Sequence, residues 1–178
     1  MGLTTGAWIL PDPRDRVAAV RSWARPPDFA SVNWHEEGAE RVAAALLDRG
    51  IGVEAGLWDL RAARRWAASS LRGDCIRVLV ELPAGLAHAR CVEQADRMLE
   101  LVREHSADAH IVLHGADDTA WPMFDHAVRN GLGSRIGFED VTVLPDGTPA
   151  VTNAELVTVA LARAAGAGPR PSDGLHTA

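Results

Sequence analysis

The stretch Ser134-Arg135-Ile136-Gly137-Phe138-Glu139-Asp140 decides how the chain is read. Ile136 and Phe138 alternate with Gly137, the two-residue period of a short strand, and the run ends in two adjacent acids ahead of a turn signal, Pro145-Asp146-Gly147. Gathering an Arg and two carboxylates at one strand end is unfavourable unless they pair with each other, a metal or a ligand. Alone, the pattern reads as an ion pair closing a strand. It gains weight because other strands of the chain also end in polar residues.

Working back along the chain, strand-like runs occur at residues 110–115, 76–81, 51–57, 29–34 and 2–6. Between them, helical spacing of apolar residues predicts helices over 14–24, 36–48, 60–71, 86–104 and 118–128, with a last one over 153–165. Gly50 is placed to close the second helix and Asn153 to cap the last. Counting residues 135–139 as a sixth strand, strand and helix alternate six times with short connections. That alternation predicts an α/β fold with a parallel sheet flanked by helices, either doubly wound or closed into a (β/α)8 barrel. One domain is expected over 1–165. The Gly-, Pro-, Ser- and Asp-rich stretch 166–178 reads as a disordered tail.

A net charge of −6 with no basic cluster argues against a nucleic-acid surface, and no apolar run is long enough to span a bilayer. With only Cys75 and Cys91, fifteen residues apart in no metal or redox spacing, and no signal peptide, the sequence reads as a reduced cytoplasmic protein. It has no dinucleotide fingerprint, phosphate loop, nucleophile elbow or His-Glu-x-x-His.

In a parallel sheet the C-terminal ends of the strands face one rim. That rim would carry Thr4 and Thr5, Ser31 and Asn33, Glu54, Glu81, His114, then Arg135, Glu139 and Asp140. Glu54, between Val53 and Ala55, must point into the interior of the sheet or find a partner. Glu81 reads equally well as a rim residue paired with a neighbouring Arg. His35 stands at the head of a helix, whereas His88, His105 and His126 read as solvated helix positions. Trp8, Trp34 and Trp58 follow strands and are placed to wall a pocket.

Thr4-Thr5-Gly6, Ala30-Ser31-Val32-Asn33, Gly50-Ile51-Gly52-Val53-Glu54-Ala55-Gly56, Leu113-His114-Gly115, Ala120-Trp121-Pro122, Arg135 to Asp140, Leu144-Pro145-Asp146-Gly147 and Asn153-Ala154-Glu155-Leu156-Val157 together resemble the beta-keto acid cleavage enzymes. The resemblance keeps its order over nearly the whole chain. It implies a zinc-dependent (β/α)8 TIM-barrel type that exchanges a beta-keto acid with acetyl-CoA, giving acetoacetate and a new acyl-CoA. It further implies that Glu139 is a metal ligand, with His114 a possible extra. Arg135 and Asp140 would activate the keto acid, Glu54 would line its pocket, and Thr4, Ser31 and Asn33 would contact it. Family members are usually homo-oligomers.

The family's second strand ends in a His-x-His pair that supplies two zinc ligands, and this sequence contains no His-x-His. Its first strand matches the family's third, so the resemblance implies an N-terminally truncated barrel with six of eight βα units, the third strand to the eighth helix. Zinc would then be held weakly or not at all. The competing expectation is a catalytically inactive remnant, or an interaction module pairing through exposed strand edges.

Overall fold

Short runs of alternating small polar and β-branched residues build one sheet, and the helices between them cover one of its faces. The structure, a computed structural model, describes residues Met1–Gly166. Its strands are β1 (Gly2–Thr4), β2 (Phe29–Asn33), β3 (Gly52–Leu57), β4 (Cys75–Leu82) and β5 (Ile111–Gly115). The α-helices are α1 (Pro13–Ser22), α2 (Ala39–Leu47), α3 (Leu60–Ala68), α4 (His88–His105), α5 (Ala120–Arg129) and α6 (Asn153–Gly166).

All strand pairs are parallel and the sheet order is the chain order, β1-β2-β3-β4-β5. A doubly wound sheet reverses its order at a switch point, and no reversal occurs here. The order is that of a barrel wall. Among the described residues the sheet is open, with β1 paired only to β2. The expected tail begins at Gly166, which ends α6; the remainder of that stretch, 167–178, lies outside the described residues.

Alternation divides the strands into two faces. Ala30 and Val32, Val53, Ala55 and Leu57, Val78, Val80 and Leu82, and Ile111 and Leu113 are buried in one core with α1 to α5 residues such as Leu46, Trp66, Met98 and Met123. The other face carries Ser31, Glu54, Arg77, Leu79 and Val112, and it is open to a cleft. Cross-strand register sets their layering: Ser31 pairs with Glu54 and Glu54 with Arg77, while further along Glu81 pairs with His114.

Local signals explain the helix ends. Asp12 accepts a hydrogen bond from the Arg14 amide ahead of Pro13, and Asp59 does the same from Ala62 at 2.7 Å. Gly50 closes the second helical segment at φ 69°. That helix begins at Ala39, not at Glu36, because Gly38 takes a left-handed conformation and Glu36 is drawn into a buried ion pair.

Two expectations are corrected. The sixth strand over 135–139 does not form: a single parallel bridge joins Gly133 to Val112, and the chain then turns. The turn is closed by the Asp140 and Val141 amides on the Gly137 carbonyl, and the Asn153 side chain takes the Phe138 amide at 2.7 Å, so these donors are lost to a ladder. Asn153 consequently does not cap α6. Thr152 does, accepting from the Glu155 amide at 3.1 Å. A second, smaller core of Trp121, Phe124, Val141, Leu156 and Ala160 holds this turn and α6 against α5.

Candidate functional site

The turn after the Gly133 bridge aims two of its side chains back at the strand ends. Asp140 is buried and its Oδ1 accepts from Arg135 Nη2 at 2.7 Å and Nε at 3.1 Å. The same oxygen lies 3.2 Å from His114 Nδ1 at the end of β5, and His114 Nε2 lies 3.4 Å from Glu81 Oε2 at the end of β4. His114 is 1% exposed. Neither ring nitrogen is aligned for a hydrogen bond, so it is held by the charge of the carboxylates on both sides.

Those surroundings set the protonation states. Burial works against a charged His114, but the Asp140 and Glu81 carboxylates outweigh it and hold the imidazole pKa above its ordinary value. Burial likewise raises that of Asp140, and His114 with Arg135 overrides it, leaving the carboxyl below its ordinary range. The cluster therefore sets the four side chains in a row, Glu81, His114, Asp140 and Arg135, with the imidazole between two carboxylates. Arg135 Nη2 also reaches Glu139 at 3.3 Å.

Below this cluster lies a cleft of about 570 Å³, lined among others by Thr4, Ser31, Glu54, Arg77, Arg135 and Glu139. Glu54 is buried, and it is both inward-facing and paired. Its Oε1 accepts from Ser31 Oγ at 2.5 Å, and its Oε2 accepts from Arg77 Nε. The Arg77 guanidinium stacks on the Phe29 ring with its centre 4.6 Å from the centroid. Thr4 is exposed at the cleft edge.

Asn33 is not part of the cleft lining. Its Nδ2 donates to Glu36 Oε1 at 3.1 Å, inside a separate cluster in which Glu36 pairs with Arg16 at 2.6 Å and accepts the Ala7 amide at 3.0 Å. Gly56 opposite leaves the space that the Asn33 amide fills. His35 packs against Trp58 with ring centroids 5.1 Å apart, away from the rim cluster. Trp34 is buried core, Trp8 is exposed, and of the three tryptophans none lines the cleft. His126 is not solvated: it is buried and bonds Asp96 at 2.7 Å, tying α5 to α4. Burial pushes both thiols, Cys75 and Cys91, up to about 11, which keeps them protonated and unreactive.

Arg77 escapes a reading of sequence alone. It sits inside the apolar run of β4, and only the register that sets it beside Glu54, twenty-three residues earlier, reveals its partner.

The donor set does not fit a zinc ion. The Glu139 side chain is 81% exposed and engages Arg135, the His114 nitrogens are already flanked by carboxylates, and among the described residues no three His, Cys, Asp or Glu side chains converge as a metal site.

A parallel α/β sheet with its ionisable groups collected at the C-terminal strand ends, above an open cleft, has the layout of the barrel-like α/β enzymes. A sequence model of the beta-keto acid cleavage enzymes matches residues 2–174, and the chain belongs to that family. Membership carries beta-keto acid cleavage as the kind of chemistry and a TIM-barrel-like architecture. No curated protein matches the chain. Among the described residues no helix is long and apolar enough to cross a membrane.

Proposed function

We propose that this chain carries the cleavage end of a beta-keto acid site, with Arg135 and Asp140 acting at the keto acid and the cleft beneath receiving the rest of it. The reading rests on one observation, the meeting of Arg135, Asp140, His114 and Glu81 at adjacent strand ends above a cleft that Glu54 and Ser31 also line. Splitting a beta-keto acid between its keto carbon and α-carbon develops negative charge on the departing enolate. A fixed guanidinium answers that charge. Arg135 uses Nε and Nη2 on Asp140, while its Nη1 donates to no protein group among the described residues and is free for a carboxylate or enolate oxygen. His114 does not reach the ligand; it keeps Asp140 charged and in place.

The overall reaction in this reading is an exchange. The two-carbon carboxylate unit of the keto acid joins the acetyl group of acetyl-CoA as acetoacetate, and the remaining acyl group leaves on CoA. In the family resemblance this reaction depends on zinc, and the residues described here do not supply a zinc site, which leaves metal dependence as part of the test. A cytoplasmic homo-oligomer belongs to the same proposal.

The experiment is acetoacetate production from acetyl-CoA and a panel of beta-keto acids, with and without added zinc, quantified by mass spectrometry. Acetoacetate is expected, falling at least about a hundredfold in Arg135→Ala. A second reading, a non-catalytic interaction module, is favoured by the exposed Glu139 and by β1, which among the described residues has one unpaired edge with Leu3, Trp8 and Ile9 exposed around it. No acetoacetate under either condition would overturn the cleavage reading.

A further inference from the structure

We propose that Arg77 is a specificity-determining residue whose guanidinium binds a second anionic group on the substrate, so that the cleft selects a beta-keto acid carrying an additional carboxylate. The proposal rests on the cleft being a keto acid site. Its own support is the way Arg77 is held.

Only Nε of Arg77 is spent inside the protein, on Glu54 Oε2. Nη1 and Nη2 donate to no protein group among the described residues, although Arg77 lines the cleft and its side chain is only 31% exposed. Two devices fix the fork. Ser31 Oγ holds the opposite oxygen of Glu54 at 2.5 Å, and the Phe29 ring supports the guanidinium from beneath at 4.6 Å. A planar, pre-oriented fork with two unused donor arms matches a carboxylate.

Charge bookkeeping points the same way. The Glu54 carboxylate is engaged by both Ser31 and Arg77, and the Glu139 carboxylate lies against Arg135, so neither is a free receptor for a cationic substrate group. The charged donors left over in the cleft among the described residues are the arms of Arg77 and Nη1 of Arg135. Two guanidinium anchors on one cleft suit a molecule with two anionic ends.

The test uses unreactive probes and the full chain. Adipate and hexanoate have the same carbon count and differ by one carboxylate, and their affinities are compared by isothermal titration calorimetry in the wild-type protein, Arg77→Met and Arg77→Lys. Adipate is expected to bind about tenfold tighter than hexanoate in the wild type. Arg77→Met should erase that preference while hexanoate binding is kept. Arg77→Lys retains a charge for Glu54 but not the fork, and should lose most of the preference with an unchanged melting temperature, which separates recognition from folding. Equal binding of the two acids by the wild type, or a preference that survives in Arg77→Met, overturns the role of Arg77 while leaving the keto acid reading intact. Failure of both acids to bind the wild type overturns the keto acid reading and the proposal with it.

Discussion

Two arginine–glutamate pairs lie within one sheet's reach of each other, and they are built to opposite ends. Arg16 and Glu36 are sealed, at 3% and 6% side-chain exposure, and Arg16 spends Nη1 on Glu36 and Nη2 on the Glu37 carbonyl at 2.6 Å each. Arg77 and Glu54 share the inner face of the sheet with a cleft, and the arginine keeps its terminal nitrogens uncommitted. A pair whose arginine directs both terminal nitrogens inward, with its Nε buried and unpartnered, holds the β1–α1 connection to the head of α2 and leaves neither terminal nitrogen for a ligand. A pair with two of the arginine's three nitrogens idle beside a cavity is fixed in place but unfinished. The residue types are identical, and the difference lies in whether the terminal nitrogens of the arginine stay unspent beside a cavity.

The sharpest way to break the comparison is to neutralise one partner of each pair. Arg16→Met leaves the Glu36 carboxylate buried without its partner and should destabilise the protein by about 3–5 kcal/mol, measured by urea denaturation. Glu54→Gln keeps the shape of its side chain and the contact with Ser31 but leaves Arg77 free to turn to solvent through the cleft, so its cost should be smaller, about 1–2 kcal/mol. Equal losses from the two would mean that the cleft pair is as structural as the sealed one.

Much of this arrangement was legible in the sequence because it rests on periodicity. The core positions of β2 to β5 and the faces of α2 to α5 follow from apolar spacing alone, and the strand ends therefore named Glu81 and His114 as neighbours; Arg135 and Asp140 join them from a turn, and Glu54 lines the cleft with Ser31 and Arg77. What failed was decided by hydrogen-bond partners that periodicity does not name. Residues 135–139 alternate like a strand, yet the Asn153 side chain and the Gly137 carbonyl take their hydrogen bonds, and only Gly133 reaches β5. Asn33 has the right strand position for the rim, but Glu36 three residues on captures it. Arg77 carries no signal until β3 is laid beside β4.

The rim cluster gives a subtler comparison, since its charges are held by one another and not by a cleft. His114 has a folded-state pKa above its unfolded one, with Asp140, Glu81 and Arg135 as the charged groups facing it. The stabilisation it provides is fully present below the ordinary histidine pKa and is lost as pH rises through the raised value. Asp140 works in the opposite sense, contributing above the ordinary carboxylate range and losing its share as acid protonates it. Wild-type stability should therefore decline as pH rises past the ordinary histidine range, and His114→Gln should flatten that decline in melting curves taken on its alkaline side. A slope unchanged in the variant would place the alkaline loss elsewhere.

The smallest effect belongs to a third pair, the exposed Arg14 and Asp12, joined at 2.7 Å at the head of α1. Its bond is as short as that between Arg135 and Asp140, but water surrounds the Arg14 end. Exposed pairs of this kind contribute about 0–1 kcal/mol. The Asp12 carboxylate has a second task, accepting the Arg14 amide as the helix cap, and that task does not need the guanidinium. Arg14→Ala should therefore leave urea stability within about 0.5 kcal/mol of wild type, whereas Asp12→Ala should lose about 1 kcal/mol through the cap. If Arg14→Ala proved the costlier of the two, the contrast drawn here between sealed and open arginines would have to rest on geometry at the helix end and not on burial.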